Sequence, residues 1–249
     1  MRNKLLTIFL GTAATVAIMP SAQAATLYQV TSGVTSLNVD TAALDLLSGL
    51  GLTFSNSFET VTPAEGFIFG FEILPPTEDS SVVGTDFTFT INEATQAFAP
   101  VGGQIEHTGG LSFEVDSFDP VTNPGGLALF SPLEIGDFSI GFDGGFFIAD
   151  NITTGLPLFD LVVNAAPSFS DRTLLVSSVD VLVSEEFNDV LENASGNFEL
   201  NLTGARIGSA QIDAEAAKVP EPGTALALVS VAGALFTVRR LAVRRRPLA

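Results

Sequence analysis

The sequence predicts a mainly β protein. The expected form is an antiparallel β-sandwich or barrel with one or two short helices, preceded by a signal helix and followed by a hydrophobic helix. Three observations lead there. Apolar residues alternate with polar ones along many short stretches, which is the period of a strand with one buried face. Turn-forming residues divide those stretches at Pro75-Pro76, Gly102-Gly103, Asn123-Pro124-Gly125-Gly126 and Gly144-Gly145. The apolar residues lean toward Phe, with 21 Phe against 1 Tyr and 0 Trp, punctuated by 23 Gly and 13 Pro.

The elements follow in order. A first strand is expected at 27–31. Phe67, Phe69, Phe71 and Ile73 then occupy alternate positions, as do Phe87, Phe89 and Ile91, Leu111, Phe113 and Val115, and Phe138, Ile140 and Phe142. Further strands are expected at 145–150, 158–163, 174–182, 198–203 and 206–212. Two stretches carry helical spacing instead. Ala43, Leu46, Leu47 and Leu50 share one face, with Asp40 or Thr41 able to cap the start and Gly49 or Gly51 the end. Ser184, followed by Glu185 and Glu186 and then by Phe187, Val190 and Leu191, suits a second helix start.

Charge divides the 249 residues into three parts: 1–24, 25–218 and 219–249. From Ala25 to Val219 the chain holds 27 acidic residues against three basic ones, Arg172, Arg206 and Lys218, a net charge of -24. A surface of that kind repels nucleic acid and anionic lipid. It favours solubility and is able to attract cations. With 0 Cys, the fold has no disulfides and no thiolate metal site, so packing and backbone hydrogen bonds must hold it.

The first 24 residues read as a secretory signal. Arg2 and Lys4 precede an apolar run from Leu5 to Met19, and Ala22-Gln23-Ala24 supplies the small residues that signal peptidase accepts, so cleavage is expected after Ala24. The last 31 residues combine three features in order. Val219, Pro220, Glu221 and Pro222 form a stiff stem that cannot continue a helix. Thr224 to Val238 is uncharged and apolar, and is short for a permanent membrane span. Arg239, Arg240, Arg244, Arg245 and Arg246 then resist translocation and hold the end in the cytoplasm.

This tripartite tail resembles the PEP-CTERM sorting signal of Gram-negative bacteria. The resemblance implies recognition and cleavage near Pro220-Glu221-Pro222 by an exosortase-like membrane enzyme. It implies an envelope or biofilm-matrix destination, with extracellular polysaccharide as a possible partner. The precursor would be a single-pass protein in the inner membrane during sorting, its C-terminus cytoplasmic.

Within the body, candidate chemistry is sparse. His107 is the single histidine, so no multi-histidine metal site exists, and the reading from sequence is a solvated turn residue ahead of a strand. Glu106 and Glu114 are its nearest acid/base partners in sequence. The stretch His107-Thr108-Gly109-Gly110-Leu111 resembles the HtaA haem-binding β domain. That family holds haem through a Tyr supported by a His. The only Tyr here is Tyr28, whose surroundings do not match the family's motif, so the resemblance implies a β architecture rather than a haem site. Asp116, Asp119, Asp137, Asp143 and Asp150 place carboxylates in loops, where calcium would need six to eight oxygens, yet no calcium loop motif is present. No G-x-S-x-G elbow occurs. The expected function is that of a non-enzymatic exported envelope or matrix protein, without cofactor, metal or catalytic residues. Alternatives are a calcium- or small-ligand-binding extracellular module and a secreted hydrolase using paired carboxylates.

Overall fold

The structure is a computed structural model, and it describes residues 25–220. Its elements run β1 (Ala25–Val39), α1 (Thr41–Gly49), β2 (Leu52–Phe58), β3 (Phe69–Ile73), β4 (Thr88–Asn92), β5 (Phe98–Gly102), β6 (Gln104–Thr108) and β7 (Gly110–Val115). They continue with β8 (Leu133–Gly136), β9 (Ser139–Phe142), β10 (Phe146–Ala149), β11 (Pro157–Val163), β12 (Ser168–Ser170), β13 (Thr173–Val183), α2 (Glu185–Ser195) and β14 (Arg206–Lys218).

Eight strands close on themselves. β1, β3, β6, β9, β10, β11, β13 and β14 pair in that order, and β14 returns to β1, every pair antiparallel. Of the two architectures expected, the chain adopts the barrel. β1 makes closure possible by holding three partners. One edge pairs β14 along its length, while the other pairs β4 at Ala25–Gln29 and β3 at Gly33–Leu37. The register slips between Val30 and Ser32, and Gly33 follows at φ +142°, where a Cβ would stand 2.2 Å from the Asp213 carbonyl oxygen. Only glycine fits that approach.

An eight-stranded barrel is just wide enough to be filled by its own side chains. Leu37, Phe71, Ile140, Phe159, Val181 and Ala210 fill one half, around a residual void of about 50 Å³. Phe87, Phe98, Ile105, Leu174 and Ile212 fill the other half, around about 20 Å³. The interior is therefore a core and has no room for a ligand.

The two ends differ. β1 leads into α1, and the amide of Asp40 donates to the carbonyl of Ile207 at 2.8 Å, so β14 starts beside α1. β13 pairs there with β14 and leads into α2. This helical pole is closed by Leu47, Phe187 and Leu191, and by the small sheet β2-β7-β8 through Leu52, Leu111 and Leu133. At the opposite pole, Tyr28 pairs with Lys218 and the Val219 amide donates to the Leu27 carbonyl at 2.9 Å. Ala25 and Pro220 thus emerge side by side, over the Phe-rich lid of β4 and β5.

Both helices occur where spacing predicted them. Ser184 caps α2 by accepting the Phe187 amide at 3.0 Å, and Gly196 ends it in the left-handed conformation. Asp40 takes the N-cap position of α1 without a side-chain cap bond, and its carboxylate pairs with Arg206 instead.

One expected strand is absent: 198–203 is irregular, Phe198 is exposed, and the Leu202 amide goes to the Asn188 side chain at 2.7 Å rather than to a strand. β2, β5, β6, β8 and β12 were not expected. β5 and β12 lie at the edges of the large sheet and β2 and β8 at the edges of the small one. β6 hides behind polar residues on both faces. No helix among the described residues is long and apolar enough to cross a membrane. The expected signal helix and C-terminal hydrophobic helix lie outside the described residues.

Candidate functional site

Consecutive residues of a strand face opposite sides, and β6 puts a titratable group on each. His107 points into the barrel and is buried. Its Nδ1 lies 2.8 Å from the Phe138 carbonyl oxygen and its Nε2 lies 2.7 Å from Thr35 Oγ1. A carbonyl only accepts, so Nδ1 carries the proton and the Thr35 hydroxyl donates to Nε2. Burial pushes the imidazole pKa down to about 4. The solvated turn histidine expected from sequence is therefore a neutral, saturated core residue. It is paired with neither Glu106 nor Glu114, whose carboxylate instead accepts from Ser131 at 3.2 Å.

Glu106 points outward, yet is only 8% exposed. The chain between β3 and β4 folds over it: the Leu74 amide donates to the Glu106 carbonyl at 2.8 Å, and the Glu106 amide donates to Thr85 Oγ1 at 3.0 Å. Its carboxylate accepts from the Ser139 hydroxyl at Oε2, 2.5 Å away. Ser139 in turn accepts from Asn151 Nδ2 at 2.7 Å, and the same Nδ2 donates to the Asp137 carbonyl at 2.6 Å. Glu106 Oε1 has no protein partner among the described residues and opens on a cleft of about 570 Å³. Leu74, Val83, Gln104, Asp137, Ser139 and Asn151 surround it. Burial raises the Glu106 pKa, nearby Asp86 adds to the rise, and the Ser139 bond opposes it.

The cleft's outer wall is the loop at 75–84. Its ends meet closely, since a Cβ on Gly84 would stand 2.7 Å from the Pro75 carbonyl oxygen. The loop exposes Val82 and Val83. The wall thus sets oriented polar groups beside exposed aliphatic ones.

The other candidates from sequence are dispersed. Tyr28 stacks near Phe89 and Phe169 at the terminal pole and donates to Glu93 at 3.4 Å. The partner of His107, Thr35, is seven residues further along β1, about 23 Å at strand rise. The Tyr and His that the haem resemblance would join are therefore apart. Asp116 accepts from Asn123 Nδ2 at 2.7 Å, and Asp119 caps the amides of Val121 and Thr122, which hold its pKa low. Asp150 is fully buried and accepts from the amides of Gly136, Ile152, Thr153 and Thr154. No group of three or more metal-ligating side chains occurs among the described residues. Of the sorting motif, Val219 is part-buried and Pro220 exposed at the end of β14. Glu221, Pro222, Thr224 to Val238, the five arginines, and Ala22 and Ala24 lie outside the described residues.

Ser139 and Asn151 were not found from sequence, nor was Glu106 as more than a partner for histidine. They come from β6, β9 and the turn after β10, with no local motif. The one available signal was the alternation of Ile105, His107 and Leu111, which places Glu106 on the other face.

No protein-family model matches this chain, and no curated protein matches it. A solved structure, the crystal structure of the C-terminal domain of HtaA from Corynebacterium glutamicum, aligns with it at a TM-score of 0.40 and 15% identity, over 76% of this chain and 99% of that one. The mainly β class of the present chain stands on its own strand ladders.

Proposed function

We propose that this chain is an exported, non-catalytic β-barrel domain, sorted to the envelope or biofilm matrix through its PEP-CTERM-like tail, and that its body binds a small ligand in the Glu106 cleft. The sorting part is supported by the order of Pro-Glu-Pro stem, apolar run and arginines over 219–249, and the pairing of Val219 with Leu27 brings residues 25 and 220 to one pole. Signal cleavage after Ala24 and tail processing at Pro220-Glu221-Pro222 would act at one pole, leaving the helical pole and the barrel wall clear of the membrane. The observation that carries the binding part is Glu106, a residue only 8% exposed whose side chain lines the cleft and whose Oε1 has no protein partner among the described residues. Binding is favoured over acid/base chemistry because His107 is locked inside the core. Signal peptidase and an exosortase-like enzyme are the processing partners.

Removing Val219 to Ala249 is expected to release the body into the periplasm or medium, with the processing step lost. Fractionation and mass measurement of the mature C-terminus check it, and unchanged location and processing would sink the sorting reading.

A further inference from the structure

We propose that the Glu106 cleft binds a primary aliphatic ammonium group. This rests on the cleft being the body's binding site and names what that site takes.

The hydrogen-bond inventory decides what the ligand must bring. The Ser139 hydroxyl already donates to Glu106, and Asn151 Nδ2 already donates to Ser139 and to the Asp137 carbonyl. Those donors are spent inside the wall. Glu106 Oε1 and Asn151 Oδ1 remain open acceptors, with no protein partner among the described residues, and the Gln104 amide and Thr108 hydroxyl are the neutral groups left beside them. The one charged open group is the Glu106 acceptor, so a ligand has to bring a donor to it.

Charge narrows the choice further. Anions are disfavoured, because no lysine or arginine lines the cleft, and His107, which borders it, is neutral with both ring nitrogens partnered in the core. Arg206 is held by Asp40 and Asp180, and Arg172 and Lys218 lie at the terminal pole. Glu106 and Asp137 supply negative charge, within a body of net charge -24. A metal ion finds too few ligands. A sugar finds no aromatic platform in the lining. A guanidinium seeks both oxygens of a carboxylate, and Oε2 is already taken by Ser139. A compact ammonium needs a single oxygen and carries three donors. Leu74 and Val83 then offer a surface for its methylene chain.

Such a group comes from a free diamine or from a lysine side chain of a partner protein, and the experiment separates these. The body, residues 25–220, carries the whole described core and is titrated by calorimetry and by hydrogen–nitrogen NMR. The probes are diaminobutane, N-acetyl-lysine amide, butanediol, methylguanidinium and calcium. An ammonium probe is expected to bind and to shift the Asn151 side-chain signal. Glu106→Gln should weaken it by roughly tenfold or more while the protein stays folded by its NMR dispersion. Tighter binding of the diamine points to a free amine, and tighter binding of the lysine amide points to a partner chain. Both outcomes support the proposal. Equal binding of butanediol, or displacement by calcium or methylguanidinium, overturns the ammonium assignment and leaves the cleft as a binding site. No cleft shift with any probe overturns both. Ser139→Ala serves as a second variant. It frees Oε2, so methylguanidinium should gain relative to diaminobutane, and no change in that ratio would count against the single-oxygen argument.

Discussion

Glu106 and His107 are adjacent, both are nearly buried, and both are titratable, yet β6 gives them opposite fates. The inward residue has both ring nitrogens partnered and is kept neutral by burial. The outward one has a single oxygen partnered and is left with an unspent acceptor facing water. A buried polar group whose bonding is complete holds the fold together. One whose bonding is deliberately half complete costs stability and gives a ligand something to gain.

The largest expected effect comes from breaking the inward side. His107→Ala leaves a hole among Phe71, Phe138 and Ile140 and strands the Thr35 hydroxyl. A loss of about 3 to 4 kcal/mol in urea unfolding is expected. Next comes acid. The folded pKa of His107 lies near 4, below its ordinary 6.5, so the unfolded chain binds more protons between those values. The stabilisation is fully present above pH 6.5 and is lost as pH falls toward 4, by about 3 kcal/mol at 1.36 per unit. Urea midpoints across that window measure it, and His107→Asn should remove the slope.

The smallest effect sharpens the contrast from the outward side. The raised pKa of Glu106 means its folded form prefers the proton, so its contribution is present at low pH and fades as pH rises through that pKa. It has the opposite sign to His107. Glu106→Gln should therefore hold or slightly raise the unfolding free energy near neutrality, by less than about 1 kcal/mol in urea unfolding, and should make the acid loss steeper. A destabilised Glu106→Gln protein would place Glu106 with the structural residues instead.

The strands with a clean apolar beat, such as Phe87, Phe89 and Ile91 or Phe138, Ile140 and Phe142, were legible because their burial is written into residue type. The two helices were legible for the same reason, and Ser184 is a start signal recognisable without a structure. β6 was not. Gln104-Ile105-Glu106-His107-Thr108 alternates, but its inward slot holds an imidazole and its outward slot a carboxylate. Whether either is wet depends on residues far away in sequence: Thr35 and Phe138 for one, Ser139 and Asn151 for the other. Nothing local distinguishes a saturated histidine from a solvated one. Closure into a barrel was similarly out of reach, since it depends on the first strand meeting the last, Tyr28 on Lys218.

That meeting also has a mechanical meaning. Pulling Ala25 and Pro220 apart would load the β1–β14 ladder at one end, so its rungs would open one after another like a zip from Tyr28–Lys218 toward Val39–Gly208. A domain tethered by Pro220 alone and tugged at its helical pole is loaded along the strands instead, and those same rungs share the force in shear. Under the proposed processing, a chain held at Pro220 would carry load in that stronger direction.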